Sequence, residues 1–390
     1  MTSAPPRTAM ITDSLSPLAG GLYFSARLPA NRMAAKGRSP HVVGLRDERF
    51  VEARDSWQVD QLTAIDRKGP GGFLSSQDMH EALAKAAPDL VHLRCLWGPY
   101  GVAAARWRRE TSKPLLVSSH GMLDPYALSI SRWKKVLARR FYADAMLANA
   151  SAMHALNRSE ADSYRAFGLA NPIAVIPNGV DIHPLSPREP QAVKRMAFLS
   201  RIHPKKGLSE LVRAWGKASA MCPETMAEWR LDIAGWDDGG HLDALETLVR
   251  AEGLADCIAF VGPKFDADKR AFFDGADAFV LPSFSEGLPV SVLEAWERAL
   301  PVLMTDACNL PEGFAAGAAM RTEAAVDTLT ADLCRFCAMS DGERQAMGAK
   351  GRELVVADYS WNTITDRYLE LYDWLAGRSG ATPGFVEFAA

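Results

Sequence analysis

Two doubly wound α/β domains are expected from this chain, on three observations. Its 390 residues exceed what one ordinary domain uses, at about 100 to 200 residues each. A short β-rich apolar run, a loop with Gly, Pro or Asp, and a helix-length amphipathic stretch follow one another repeatedly, the pattern of parallel sheets covered by helices. The series also runs twice, on either side of Pro177-Asn178-Gly179-Val180-Asp181 and the Pro-bearing HPLSPREP, whose composition marks a linker. Domains over 1–182 and 183–360 are expected, with a C-terminal helix near 361–377 packing back on the first.

In the first half the strand candidates are 9–12, 41–45, 90–93, 115–118, 152–156 and 173–176. In the second they are 196–200, 231–234, 258–261, 278–281 and 302–304. The apolar runs are too short to span a bilayer, which takes about 18 residues or more. The start, MTSAPPRTAMITDS, has no apolar core of signal-peptide length, so a cytoplasmic protein is expected. Hydrophobic residues make up 48% and charged residues 23%, a balance that excludes disordered and fibrous classes.

Six cysteines (Cys95, Cys222, Cys257, Cys308, Cys334, Cys337) are too sparse for a disulfide framework, and reduced thiols are expected. Cys334-x-x-Cys337 has no second pair to complete a zinc site, and the eight histidines show no H-E-x-x-H spacing, so no metal is expected. Residues 1–182 hold 23 Lys and Arg against 16 Asp and Glu, a net +7, which leaves −10 for the rest of a chain of net −3. A basic half suggests an anionic partner.

In parallel α/β sheets ligands sit beyond the carboxyl ends of the strands, and the chemistry-bearing residues fall there. After the first strand, Gly20-Gly21 opens a helix and lets backbone N–H groups approach an anion. After 196–200 come Arg201 and Lys206, two cations across a strand-to-helix turn, suited to clamping a diphosphate. The segment FSEGLPVSVLEAW carries Glu286 at a helix mouth and Glu294 about two turns on, as E-x7-E. Pro289 suits the first turn of that helix.

These motifs resemble the retaining glycosyltransferases of family 4, which have the GT-B fold: two Rossmann-like domains facing across a cleft. The resemblance rests on Gly20-Gly21, the linker PNGVDI, Arg201 with Lys206, and E-x7-E, and it covers nearly the whole chain. SSHGMLDPYALSISRWKK resembles the bacterial branch that builds exopolysaccharide, capsule or lipopolysaccharide. Arg298-Ala299-Leu300 stands where that family commonly has a glycine.

The resemblance implies a retaining hexosyl-type transferase acting without metal or other cofactor on a UDP- or GDP-linked sugar. Gly20 and Gly21 would meet the donor, and Arg201 with Lys206 would neutralise the departing diphosphate. Glu286 with the amides of Gly287 and Leu288 would hold the sugar, Glu294 would take the ribose hydroxyls, and His120 would approach the sugar from the first domain. The base would be met near residues 263–265. The acceptor is expected to be a saccharide, lipid-linked, and no nucleic-acid partner is expected. A GT-B epimerase or hydrolase and a non-catalytic nucleotide-sugar-binding module are the alternatives. A Rossmann dehydrogenase is disfavoured, since no G-x-G-x-x-G follows the first strand.

Two further segments complete the reading. Asp266-Ala267-Asp268 matches the D-x-D of metal-dependent transferases but directly precedes a helix-like stretch, so helix capping is expected to explain it. SRWKKVLARRFY places Trp133, Val136, Leu137 and Phe141 on one helical face among five basic residues. That face either lies on the cytoplasmic side of an anionic inner membrane, as a peripheral protein would, or packs on the first domain's sheet.

Overall fold

The computed structural model describes residues 4–185 and 192–389; the end of the HPLSPREP stretch lies outside them. The chain divides into an N-terminal unit, Met1–Asn178 with Trp361–Ala390, and a C-terminal unit, Gly179–Ser360. The boundary falls within the Pro-Asn-Gly punctuation.

Seven strands of the N-terminal unit run parallel: β1 (Thr8–Ser14), β2 (His41–Leu45), β3 (Gln61–Ile65), β4 (Leu90–Leu93), β5 (Leu115–Ser118), β6 (Ala152–Ala155) and β7 (Ile173–Val175). Their order is β7-β6-β5-β4-β1-β2-β3, and the short strand Val386–Glu387 joins β7 antiparallel. The central strands β4, β5 and β6 are buried on both faces because helices cover both. One face packs on Met79, Leu83, Tyr100, Trp107 and Tyr164. The other packs on the helices Gly21–Ala35 and Trp361–Leu375, through Met33, Ile364, Tyr368 and Tyr372.

The C-terminal unit repeats the plan with β8 (Lys194–Leu199), β9 (Trp229–Ala234), β10 (Ile258–Gly262), β11 (Ala278–Leu281), β12 (Val302–Thr305) and β13 (Ala319–Thr322), all parallel, in the order β10-β9-β8-β11-β12-β13. Its helix Leu208–Met221 buries Leu208, Leu211, Val212, Trp215 and Ala218, the i, i+3, i+4, i+7 stripe of an amphipathic helix. The helix Asp341–Leu354 starts on a capping box of Ser340 and Glu343. Both units are thus Rossmann-like α/β sheets.

Sequence periodicity passes over β3 and β13. Both lie at or next to a sheet margin and keep exposed or half-exposed residues, such as Gln61 and Arg321, so neither shows the continuous apolar run of a central strand. The expectation of reduced thiols is corrected at one pair, since Cys222 and Cys334 form a disulfide. They lie 112 residues apart, so spacing gives no sign of the pairing. Two helices, Leu208–Met221 and Val326–Cys337, packed side by side, bring them together.

Candidate functional site

In the C-terminal unit β8 has β9 on one side and β11 on the other. The crossovers therefore change direction between β8 and β11, the place where a doubly wound sheet opens a crevice for ligands. The loops after these two strands touch there. Gly207 has φ +69°, and a Cβ on it would fall 2.1 Å from the Pro282 carbonyl oxygen, so only glycine permits this contact. The Phe284 N–H donates to the Lys205 carbonyl at 2.8 Å.

Lys206 is 7% exposed, and its Nζ donates to Glu286 Oε1 at 2.6 Å, an oxygen that also accepts from Ser283 Oγ at 2.6 Å. The loop carrying Glu286 is clamped from the turn after β12. Asn309, in the left-handed region at φ 55°, donates Nδ2 to the Glu286 carbonyl at 2.6 Å, and Thr305 Oγ1 donates to the Ser283 carbonyl at 2.7 Å. Gly287 follows, and a methyl group there would meet nothing within 4 Å. The next residue, Leu288, packs partly on the core.

The helix Val290–Glu297 begins after Pro289, which stands at its N-cap rather than in its first turn. Glu294 is its fifth residue and pairs with Lys269. Burial pushes the Glu294 carboxyl above its ordinary range, against the pull of Lys269. Arg201, half exposed, pairs with Asp238 at 2.6 Å. So exposed a pair is worth little in stability and exchanges readily for another anion. Beyond β9 and β10, Trp236 and Phe265 stack with ring centroids 6.2 Å apart at 23°, and they are 48% and 61% exposed. Two exposed aromatic faces at strand ends form a platform for a flat ring.

Asp266 and Asp268 lie in the first turn of the helix Asp266–Asp274, whose N-cap, Phe265, makes no side-chain cap bond. The capping expectation is thus corrected: the two acids complement the helix dipole rather than cap.

In the N-terminal unit the change of direction falls between β1 and β4. After β1, Gly20 has φ +57° and precedes the helix that Gly21 opens. At Gly21 a methyl group would meet nothing within 4 Å, and its φ lies outside the glycine-favouring region, so no packing contact accounts for a glycine there. After β5, His120 sits at φ +50°. Glu160 positions it by accepting from Ser119 Oγ at 2.8 Å and from the Gly121 N–H at 2.6 Å. Burial first, then the charges of Arg94 and His154, hold the His120 imidazole well below its usual pKa.

Beneath His120 runs a buried polar chain. His154 Nε2 lies 2.7 Å from the Ile176 carbonyl, which only accepts, so this nitrogen carries the proton. His154 Nδ1 therefore accepts from Ser118 Oγ, which accepts from His92 Nε2, and His92 Nδ1 accepts from the Tyr372 hydroxyl, each at 2.7 Å. Both imidazoles are neutral. Burial, aided by the Arg94 charge, lowers His92 well below 6.5 and His154 to about 3.

Sequence reasoning missed Trp236, Ser283 and Asn309. Trp236 falls within two residues of a strand end, a signal that was legible; the roles of Ser283 and Asn309 depend on contacts with the loop that carries Glu286.

The basic segment forms the helix Arg132–Ala138 and a following wider turn, Arg139–Ala143. Trp133, Val136, Leu137 and Phe141 all face solvent, at 66% for Trp133 and 80% for Phe141, so packing of this face on the sheet is excluded. Two of the basic residues are engaged by neighbouring groups: Lys135 donates to the Ala127 carbonyl, and Arg139 pairs with Asp144 at the surface. Arg132, Lys134 and Arg140 are exposed.

Residues 183–354 match the family described as glycosyl transferases group 1, and residues 20–179 match the glycosyl transferase 4-like domain. A D-inositol 3-phosphate glycosyltransferase of Stackebrandtia nassauensis is 25% identical over 97% of this chain and 94% of its own. A putative colanic acid biosynthesis glycosyltransferase, WcaL, of Salmonella typhimurium is 28% identical over 51% of this chain and 50% of its own. Among solved structures, Anabaena Alr3699/HepE in complex with UDP and glucose superposes with a TM-score of 0.73 at 18% identity, over 95% of this chain and 100% of its own. The two matched domains together span most of both Rossmann-like units, and the chain belongs to the group 1 glycosyltransferases of GT-B fold.

Proposed function

We propose that the chain is a retaining hexosyl-type glycosyltransferase that takes a UDP- or GDP-linked sugar and transfers it to a saccharide acceptor, lipid-linked, in exopolysaccharide, capsule or lipopolysaccharide assembly. The observation that carries the reading is the convergence of Arg201, Lys206 and Glu286 at the β8/β11 switch point, with Gly287 next in the same loop and Glu294 nearby in sequence on the following helix. Breaking the anomeric C–O bond leaves charge on the nucleoside diphosphate. Lys206, held in place by Glu286, and Arg201, released from Asp238, stabilise that charge more in the transition state than in the ground state. These fixed cations make a divalent metal unnecessary. Glu286 and the Gly287 and Leu288 amides hold the sugar, Glu294 takes the ribose hydroxyls, and Trp236 with Phe265 stacks the base. His120 meets the sugar from the N-terminal unit. In retention the acceptor oxygen attacks the face the diphosphate leaves, and the departing phosphate oxygen takes the acceptor's proton, so the chain supplies no separate base.

The lipid-linked acceptor is favoured by the exposed Trp133, Val136, Leu137 and Phe141, flanked by Arg132, Lys134 and Arg140. No helix among the described residues is long and apolar enough to cross a membrane. An apolar stripe with a basic rim instead lies on an anionic bilayer, each cation near it contributing about 1 kcal/mol. The WcaL likeness agrees with a surface polysaccharide. Melting with UDP, GDP and their sugars tests the donor, since a ligand at 100 times its Kd stabilises by about 2.7 kcal/mol. No response to either nucleotide refutes the reading, and an inverted anomeric signal in the product refutes retention. Trp133→Ser with Phe141→Ser should weaken salt-sensitive co-sedimentation with anionic vesicles; unchanged partitioning removes the membrane.

A further inference from the structure

Arg94 follows β4 at the N-terminal switch point and is 1% exposed. Its three guanidinium nitrogens make no hydrogen bond of good geometry among the described residues, and no carboxylate there pairs with it. The Tyr368 ring lies beside it, centroid 5.7 Å from the guanidinium carbon, and the Tyr368 hydroxyl is a loose hydrogen-bond neighbour that carries no charge of its own. Arginine cannot shed its proton. A buried cation must therefore find a counter-charge or remain a standing cost, and its neighbours His92, His120 and His154 are all neutral. Glu160 is already occupied by the Ser119, Gly121 and Leu156 donors.

Two more unsatisfied polar atoms stand with it. Thr12, fully buried on adjacent β1, has Oγ1 without a partner, and so has Nε2 of His120. The Arg94 N–H bonds to the Ile11 carbonyl, and Ile11 registers with Leu93. Thr12 and Arg94 are thus side by side on one face of the two strands that flank the switch point. His120, in the turn after β5, is the partly exposed member of the set.

We propose that Arg94, Thr12 and His120 form an oxyanion-binding subsite of the N-terminal unit, taking a phosphate or carboxylate group of a bound substrate. Arg94 offers a planar fork, Thr12 a hydroxyl donor and His120 an Nε2 donor, a set that matches the oxygens of such a group. The inference goes beyond the donor site of the C-terminal unit and depends on the transferase reading only for which substrate carries the anion.

The test uses the full chain and inorganic phosphate, in buffers of matched ionic strength made with chloride, with and without saturating UDP. Phosphate should raise the melting temperature of the wild type. Arg94→Met should melt no lower than wild type without phosphate, because an unpaired buried charge has been removed, and should lose most of the phosphate increment. Arg94→Lys should keep part of it, and Thr12→Val should weaken phosphate several-fold with the fold unchanged. If UDP abolishes the increment and itself binds Arg94→Met more weakly, the anion belongs to the donor; if phosphate adds to the UDP-saturated protein, it belongs to another substrate. Three results overturn the subsite: no phosphate increment in the wild type, an undiminished increment in Arg94→Lys and Thr12→Val, or an Arg94→Met protein that is destabilised with and without phosphate alike. The last marks Arg94 as a satisfied structural residue.

Discussion

At the switch point of the C-terminal unit the buried cation, Lys206, faces a carboxylate 2.6 Å away. At that of the N-terminal unit the buried cation, Arg94, faces neutral imidazoles and phenols. The same sheet topology thus carries two electrostatic designs. Lys206 and Glu286 compensate one another and are clamped by Ser283 and Asn309, so the first site holds its geometry without a ligand. The second has no carboxylate against its cation among the described residues, and its histidines cannot charge without breaking a chain of fixed tautomers. A charge supplied with its partner is positioned for chemistry, whereas one left without is positioned for recognition.

Acid sharpens this contrast most. His154 has its pKa lowered to about 3 by burial and by Arg94. The unfolded chain therefore takes up a proton that the native unit refuses, and stability present above pH 6.5 is lost as pH falls toward 3. His154 alone costs about 1.4 kcal/mol per pH unit in that window, roughly 5 kcal/mol in all, and His92 adds in the same direction. Glu294 has the opposite sign: its raised pKa gives stability that is present in acid and lost as pH rises through the folded value. Peptide-resolved hydrogen exchange between pH 6.5 and 4 should show the N-terminal unit opening first. Simultaneous opening, or an N-terminal unit that outlasts the other, breaks the comparison.

Next in size is the loss of the paired cation. Lys206→Ala should lower kcat by 10² to 10³, about 2.7 to 4 kcal/mol of barrier, the range for one preorganised donor, while excess EDTA leaves the wild-type rate unchanged. Near-normal turnover in the variant, or a rate restored only by magnesium, removes Lys206 from the reaction's charge balance. Trp236→Ala should weaken UDP by roughly 1 to 3 kcal/mol, the usual worth of one stacked base, read by calorimetry; an unchanged Kd detaches the Trp236–Phe265 platform from the nucleotide. The smallest effect is on stability, where Gly21→Ala should change folding by less than about 1 kcal/mol, as its φ and surroundings accept a methyl group. The same variant should bind donor less well; full activity would show that no ligand approaches there.

Most central strands were legible because helices on both faces demand continuous apolar runs, and 41–45, 90–93, 115–118 and 278–281 coincide with β2, β4, β5 and β11. Glu286 and Glu294 were legible for a local reason: eight residues across a helix start constrain their separation, whatever the rest of the chain does. β3 and β13 escaped because a strand near the margin needs no apolar run.

Chain order alone determined the alternation of strand, loop and helix, the place of the glycines and the positions of the charged groups beyond strand ends. It could not determine which of those charges are compensated. Lys206 meets Glu286 across 80 residues, Cys222 meets Cys334 across 112, and His92 reaches Tyr372 across 280, contacts that exist only once the sheets have brought distant loops together. Nor could helical spacing tell whether the Trp133 face is covered. A 3.6-residue period lines up apolar side chains on one side of a helix, but what that side meets is decided by the elements packed around it.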